Sequence, residues 1–284
     1  MQMMRKLVFQ SDFGLGDGAV SAMKGIAYGV DGNIIISDVT HDISPFNIWE
    51  ASYRLFQVVD FWPEGTVFVS VVDPGVGSDR KSVVVRLTGN RYVVTPDNGT
   101  LTHLFLSDRV LEMRLINESV NRLQGSDGSH TFHGRDVYAY TGARLASGVI
   151  GYEDVGERLE LSSLIQIDKD KVQIEGSALT GTVEILDVRF GHLWTDITDS
   201  DLEAIKPVYG DMLNVVILHL GVELYHGTIP FCKSFNDVNP GDELAYVNSM
   251  MNLAVGIHQG SFAKSYGIKT GPENKIRISV NQAV

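Results

Sequence analysis

The run Thr66-Val67-Phe68-Val69-Ser70-Val71-Val72-Asp73-Pro74-Gly75-Val76-Gly77-Ser78-Asp79-Arg80 decides how the chain folds. Thr66 to Val72 is apolar and rich in β-branched residues, which predicts a buried strand. Pro74, Gly75 and Gly77 then force a tight loop. A carboxylate stands where the strand ends, and a guanidinium stands just before the next apolar run, Ser82 to Leu87. Charged groups at the ends of central strands face the crevice in which open α/β sheets bind ligands.

Upstream, Leu7-Val8-Phe9 opens a first strand that ends at Ser11-Asp12-Phe13-Gly14. Val20, Met23, Ile26, Ala27 and Val30 recur at helical spacing, and Ile34-Ile35-Ile36 predicts a second buried strand ending at Asp38. Thr40 to Pro45 reads as a loop, and Ile48, Ala51, Leu55, Val58 and Trp62 mark a second amphipathic helix, closed by Pro63-Glu64-Gly65. The order strand–helix–strand–helix–strand predicts an α/β fold, a mostly parallel sheet flanked by helices. Downstream, strands are expected at Ser82–Leu87, Tyr92–Thr95 and Val110–Ile116, with Pro96-Asp97-Asn98-Gly99-Thr100 as a turn. Gly125 to His130 reads as an exposed polar loop, and Phe132-His133-Gly134-Arg135-Asp136 opens a helix that runs to about Ser147.

The pattern changes near Ile167-Asp168-Lys169-Asp170-Lys171. Beyond it come short alternating strands, at Val172–Glu175, Thr182–Leu186, Leu213–Leu220, Glu223–Ile229, Ala245–Asn248, Leu253–Ile257 and Lys275–Val280. This predicts an N-terminal α/β domain, residues 1–168, and a C-terminal antiparallel β domain, residues 171–284, built as a sandwich or barrel. Asp187 to Asp196 mixes aromatics with acids around Gly191; it reads either as a β-turn with packing aromatics or as a pocket wall for a flat ring.

Composition narrows the function. The net charge is −12 and no Lys/Arg run occurs, which argues against nucleic acid or an anionic membrane as partner. The single cysteine, Cys232, rules out an internal disulfide and a Cys-rich zinc site, and reads as a small buried hydrophobe. Met1 to Lys6 holds no apolar stretch of signal-peptide length, and no later stretch is long enough to span a membrane. A cytoplasmic location is the resulting expectation.

Three constellations carry chemistry. Gly14-Leu15-Gly16-Asp17-Gly18-Ala19 fits G-x-G-x-x-[G/A], with Asp38 where a ribose-binding acid belongs, so a dinucleotide oxidoreductase binding NAD is one reading. Against it, three residues separate the strand from the first glycine, and Asp12 and Asp17 bring negative charge to a pyrophosphate site. His41, His103, His130 and His133 lack metal-binding spacing, so no metal is expected. Asp73, Arg80 and His133 form the third set. If they converge, the carboxylate supports a histidine that titrates near neutrality and can position and deprotonate a water; otherwise Asp73 and Arg80 are a structural ion pair.

Five segments in order carry a further signal: Ser11-Asp12-Phe13-Gly14 with Asp17 and Met23-Lys24-Gly25; Asp38-Val39-Thr40-His41-Asp42-Ile43; Val72-Asp73-Pro74-Gly75-Val76-Gly77; Pro96-Asp97-Asn98-Gly99; and Phe132-His133-Gly134-Arg135-Asp136. Together they resemble the S-adenosyl-L-methionine hydrolases (hydroxide adenosyltransferases), relatives of fluorinases and chlorinases. The resemblance implies an α/β domain followed by a β-barrel-like domain, and a homotrimer with ligand between subunits. It implies attack of water or hydroxide at ribose C5′ of S-adenosyl-L-methionine, giving adenosine and L-methionine with no cofactor. It assigns the water to Asp73, Arg80 and His133, and the ribose hydroxyls to Asp12. Asp17, Asp187 and Ser249 match positions around the methionine, and Phe46, Trp62, Phe190, Trp194 and Phe235 match apolar walls. His133-Gly134 favours water over halide. Three departures fall on the adenine side: His192 and Asp196 stand where Asn is usual, and Ser261-Phe262 where Asn-Ala is usual. They are expected to change hydrogen bonding and volume there. The alternative is a non-catalytic or altered-specificity nucleoside-binding protein that keeps the fold.

Overall fold

The structure, a computed structural model, describes residues 6–281. The chain divides into two compact units that meet between Ile167 and Asp168.

The first unit contains β1 (Lys6–Ser11), α1 (Ala19–Val30), β2 (Ile35–Thr40), α2 (Ile48–Val58), β3 (Val67–Val71), β4 (Ser82–Leu87), β5 (Arg91–Pro96), α3 (Thr102–Leu106), β6 (Val110–Leu115), α4 (Glu118–Asn121), α5 (Tyr140–Ser147) and β7 (Arg158–Leu159). A π-helical turn, Gly134–Ala139, leads into α5. The sheet order is β2-β1-β3-β5-β4-β6-β7. Strands β2, β1, β3 and β5 pair in parallel, and β4, β6 and β7 add antiparallel. The period-2 alternation of side chains splits each central strand between two faces. Leu7, Phe9, Val67, Val69 and Val71 pack under α1 and α5, whereas Val8, Phe68, Val83, Val85 and Val93 face the opposite core with Leu55, Leu101 and Leu104. Gly142 lets α5 settle on the sheet, since a Cβ there would lie 2.4 Å from Val69 Cγ2.

One pairing places the candidate site. Strand β5 runs parallel to β3, and β4 runs antiparallel to β5. β4 therefore starts at the edge where β3 ends, and a short loop suffices to bring Arg80 back to Asp73. A purely parallel crossover would have carried Arg80 to the far edge. Strand β2 departs from the sequence expectation of a buried strand: it is the outermost strand, and Ile35 is 51% exposed.

The second unit holds β8 (Gln173–Glu175), β9 (Ala178–Leu186), β10 (Leu193–Thr198), α6 (Asp199–Leu202), β11 (Met212–His219), β12 (Val222–Pro230), β13 (Glu243–Val247), β14 (Asn252–Ile257), α7 (Phe262–Tyr266) and β15 (Asn274–Val280). Its strands pair antiparallel in the order β12-β11-β15-β9-β10-β14-β13, with β8 on β9. A bridge from Phe231 to Ala245 brings β13 back to the end of β12, so the sheet curls into a nearly closed barrel around Leu179, Val183, Leu213, Val215, Ile217 and Ile276. Strand β10 lies inside the stretch that the sequence left open between turn and pocket wall. Cys232 is buried, as its composition suggested.

Candidate active site at the strand ends

Ser11 lies opposite Val71 in the parallel register of β1 and β3, so Asp12 and Asp73 leave neighbouring strands at one edge of the sheet. The peptide before Asp73 is fixed from the side: Asn98 donates its amide to the Val72 carbonyl at 2.9 Å, while its own Oδ1 accepts from Thr100 Oγ1 at 2.7 Å. Gly77 has φ +79°, and a Cβ there would stand 3.1 Å from the His130 carbonyl, so glycine lets the Asp73–Arg80 loop pack against the loop preceding His133.

The Asp73–Arg80 pair is a two-pronged fork. Arg80 Nε donates to Asp73 Oδ1 at 2.8 Å and Nη2 to Oδ2 at 2.5 Å, with only 9% and 5% of the two side chains exposed. Arg80 Nη1 donates to Ser82 Oγ at 3.0 Å, and Nη2 also lies 3.0 Å from His133 Nδ1. Its guanidinium carbon lies over the Tyr138 ring at 5.5 Å, and Ser82 Oγ meets Tyr138 OH at 3.1 Å. Beyond them, Arg122 Nη2 donates to Glu118 Oε2 at 2.5 Å and lies 3.2 Å from His133 Nε2.

The three residues converge, with one change to the expected arrangement. Asp73 grips Arg80, and Arg80 is the group that meets His133. Burial and the Arg80 charge push the His133 pKa below its ordinary value, so the imidazole is neutral at pH 7. Tyr138 is held protonated by burial. Desolvation alone would lower the Arg80 pKa, but the Asp73 hydrogen bonds and nearby negative charge raise it. The cluster presents a fixed cation and a neutral ring, a combination suited to holding an anionic oxygen.

Around this centre, Asp12 Oδ2 accepts from the Phe46 backbone N–H at 2.9 Å, and Phe46 is 70% exposed. Gly134 is buried against Phe13, whose ring a Cβ would meet at 3.0 Å. Asp17 is exposed and accepts from Ala19 N at the start of α1, occupying the helix end that a dinucleotide pyrophosphate needs. Asp38 is engaged by Lys24 at 2.6 Å and His41 at 3.1 Å, and His41 Nδ1 meets Ser11 Oγ at 2.7 Å. That array ties β2 to the strand end that carries Asp12 and leaves Asp38 committed to it, so the dinucleotide reading fails at both of its anchors. Trp62 does not join the site: it precedes β3, packs edge-on against Phe68, and its carbonyl accepts from Arg91 at the opposite end of the sheet.

In the second unit, Asp187 to His192 forms a turn whose Asp187 Oδ1 accepts from Arg189 N and Phe190 N. His192 donates to or accepts from Tyr246 OH at 3.0 Å, and its ring lies 5.1 Å from Phe235 and 6.1 Å from Phe190. Ser261 caps α7 and lies beside Gly191, where a Cβ would overlap its Oγ. Trp194 is half-buried on β10, and Ser249 is exposed in the turn between β13 and β14. Two residues assigned to the adenine side have other work. Phe262 is fully buried, 4.8 Å from the Tyr225 ring and 4.7 Å from Tyr266, so it fills the barrel core. Asp196 accepts from Thr182 N at 2.6 Å and, with Glu184, pairs with Lys169.

Sequence reasoning missed Glu118, Arg122, Ser82, Tyr138 and Asn98 as parts of the cluster. Glu118 and Arg122 stand four apart on a helix capped by Asn117, a spacing visible in the sequence but common on helix surfaces. Among the described residues no group of three or more His, Cys, Asp or Glu side chains is placed to hold a metal ion. No described helix is long and apolar enough to cross a membrane.

An α/β unit with a charged cluster at its strand ends, followed by an antiparallel barrel, defines the class, and comparison with known proteins supplies the family. Residues 7–156 match the SAM hydroxide adenosyltransferase N-terminal domain and residues 181–275 the C-terminal domain, so the chain belongs to the SAM hydroxide adenosyltransferase family of enzymes. It is similar to the (R)-S-adenosyl-L-methionine hydrolase of Salinispora tropica, 32% identical with 95% of this chain and 96% of that protein covered. It is also similar to the fluorinase of Actinopolyspora mzabensis, 27% identical with 96% and 97% covered. A solved structure of an uncharacterized conserved protein from Thermotoga maritima superposes with a TM-score of 0.85 at 32% identity, covering 96% of this chain and 99% of that one.

Proposed function

We propose that the protein hydrolyses S-adenosyl-L-methionine, with water or hydroxide attacking ribose C5′, methionine leaving from the sulfonium, and adenosine as the second product. The observation that carries this reading is the buried Asp73–Arg80 fork with neutral His133 on its outer nitrogen. A sulfonium is already an activated leaving group, so the protein need only exclude bulk water, align the nucleophile in line and favour its deprotonated form. The Arg80 guanidinium stabilises hydroxide relative to water. Asp73, Arg80 and His133 hold that oxygen together, with the neutral ring set against Arg80 Nη2. Asp12, on the adjacent strand end, is the acceptor for the ribose hydroxyls, with Phe46 and Gly134 beside it. Asp17, Asp187 and Ser249 take the methionine end, and Phe190, His192, Trp194 and Ser261 the nucleobase side, in a cytoplasmic homotrimer whose sites are shared by neighbouring subunits. No cofactor takes part.

Purified protein mixed with S-adenosyl-L-methionine is expected to release adenosine and methionine in equal amounts, and Asp73→Asn to abolish release while ligand still raises Tm. Ligand binding without turnover in the unmodified protein would instead identify a nucleoside-binding protein that has kept the fold. Fluoride or chloride added to the assay is expected to leave adenosine as the product.

A further inference from the structure

We infer that Arg122, carried by Glu118, is a positioning residue that holds His133 as a fixed, neutral imidazole beside Arg80. A guanidinium only donates, and a neutral imidazole offers a single lone pair. Arg80 Nη2 lies 3.0 Å from His133 Nδ1, and Arg122 Nη2 lies 3.2 Å from Nε2. The neutral ring satisfies one of these donors. A protonated ring would point an N–H at both guanidiniums, with two positive charges in contact range.

The whole surroundings of the ring bear on its charge. Burial opposes protonation most, then Arg80; Glu118 favours it, Arg122 opposes it and Asp73 favours it, with Tyr138 under Arg80 and the His130 ring 6.3 Å away. Asp73 is committed to Arg80, and Glu118 to Arg122 and Ser82. Arg122 is 9% exposed, and its Nη1 has no hydrogen-bond partner among the described residues. Its other terminal nitrogen faces the ring. With His133 closed to protonation from both sides, the ring is not the base: hydroxide enters from solvent, where its proton has been left to bulk water, and no proton moves in the site. That last consequence rests on the function proposed above; the effect on His133 does not.

The test is a titration of the His133 ring by NMR in histidine-labelled protein, the signal assigned by its loss in His133→Gln. Arg122→Met is expected to raise the His133 midpoint, and Arg122→Lys to return it toward the unmodified value. Glu118→Gln keeps an acceptor for Arg122 but removes a charge that favours protonation, so it is expected to lower the midpoint. An unchanged or lowered midpoint in folded Arg122→Met overturns the inference; Arg122→Gln, read in the same way, decides should the Met variant fail to fold. In kinetics, the acid limb of kcat/KM for S-adenosyl-L-methionine should move to higher pH in Arg122→Met by the same increment, with Lys restoring it. If the unmodified protein forms no adenosine, the proposed function fails while the titration still decides the role of Arg122.

Discussion

Arg80 is the residue on which the cluster depends. Its guanidinium donates twice to Asp73, once to Ser82, and meets His133, so its planar geometry is used on every side. Lysine keeps the charge but not the fork. Arg80→Lys is therefore expected to lower kcat by about 10²-fold or more while leaving the circular dichroism spectrum unchanged. Arg80→Met strands the buried Asp73 carboxylate, which is expected to cost about 3–5 kcal/mol of stability; adding Asp73→Asn should recover part of that in urea titrations. Spacing alone left Asp73 and Arg80 open between a water-holding set and a structural ion pair; the five segments that resemble a known family decided for the former. Trp62 and Phe262 were misplaced for a different reason. An aromatic ring reads the same whether it lines a pocket or fills a core, and only the path of the chain decides: Trp62 at the far end of β3, Phe262 between Tyr225 and Tyr266.

At the scale of elements, the first unit followed its hydrophobic periodicity closely, because helices covering a sheet on two faces repeat a strong pattern. What periodicity does not carry is strand direction. The antiparallel insertion of β4 beside β5, which brings Arg80 to Asp73, was not visible in any local pattern. Nor was the edge position of β2, whose isoleucines read as buried. Strand β10 was obscured because Leu193 to Thr198 mixes an acid with one aromatic, Trp194, and follows a tight turn. The packing of α5 on β3 makes a direct prediction. Gly142→Ala places a methyl 2.4 Å from Val69 Cγ2, so α5 must shift. The expected cost is about 1–3 kcal/mol, read as a lower urea midpoint with an unchanged m-value. Because α5 continues the turn that carries His133, activity should fall further than stability alone accounts for.

For the whole molecule, three histidines weaken the fold in acid, while Asp97 and Asp196, whose pKa values burial raises, act the other way. His41, His133 and His192 all have pKa values lowered from 6.5, in each case chiefly by burial. The unfolded chain then binds more protons than the folded one below about 6.5, so these groups contribute stability that is present above that pH and lost as pH falls through their folded values. Tm is expected to drop as pH is lowered from 7 toward 5, and His41→Gln to flatten that dependence; a Tm that rises over this range contradicts the assignment of neutral, buried rings. Phe262 adds a check on the barrel. Phe262→Leu should lower Tm yet leave the affinity for S-adenosyl-L-methionine unchanged, because the side chain is sealed in the core.

Displacement of methionine at C5′ by a solvent oxygen held at the Asp73–Arg80–His133 cluster is put to the test by running the reaction in ¹⁸O-labelled water and examining both products by mass spectrometry. The account predicts one ¹⁸O in each adenosine, at the 5′-hydroxyl, and none gained by methionine during turnover. Unlabelled adenosine, label in the amino-acid product, or cleavage to methylthioadenosine would contradict it.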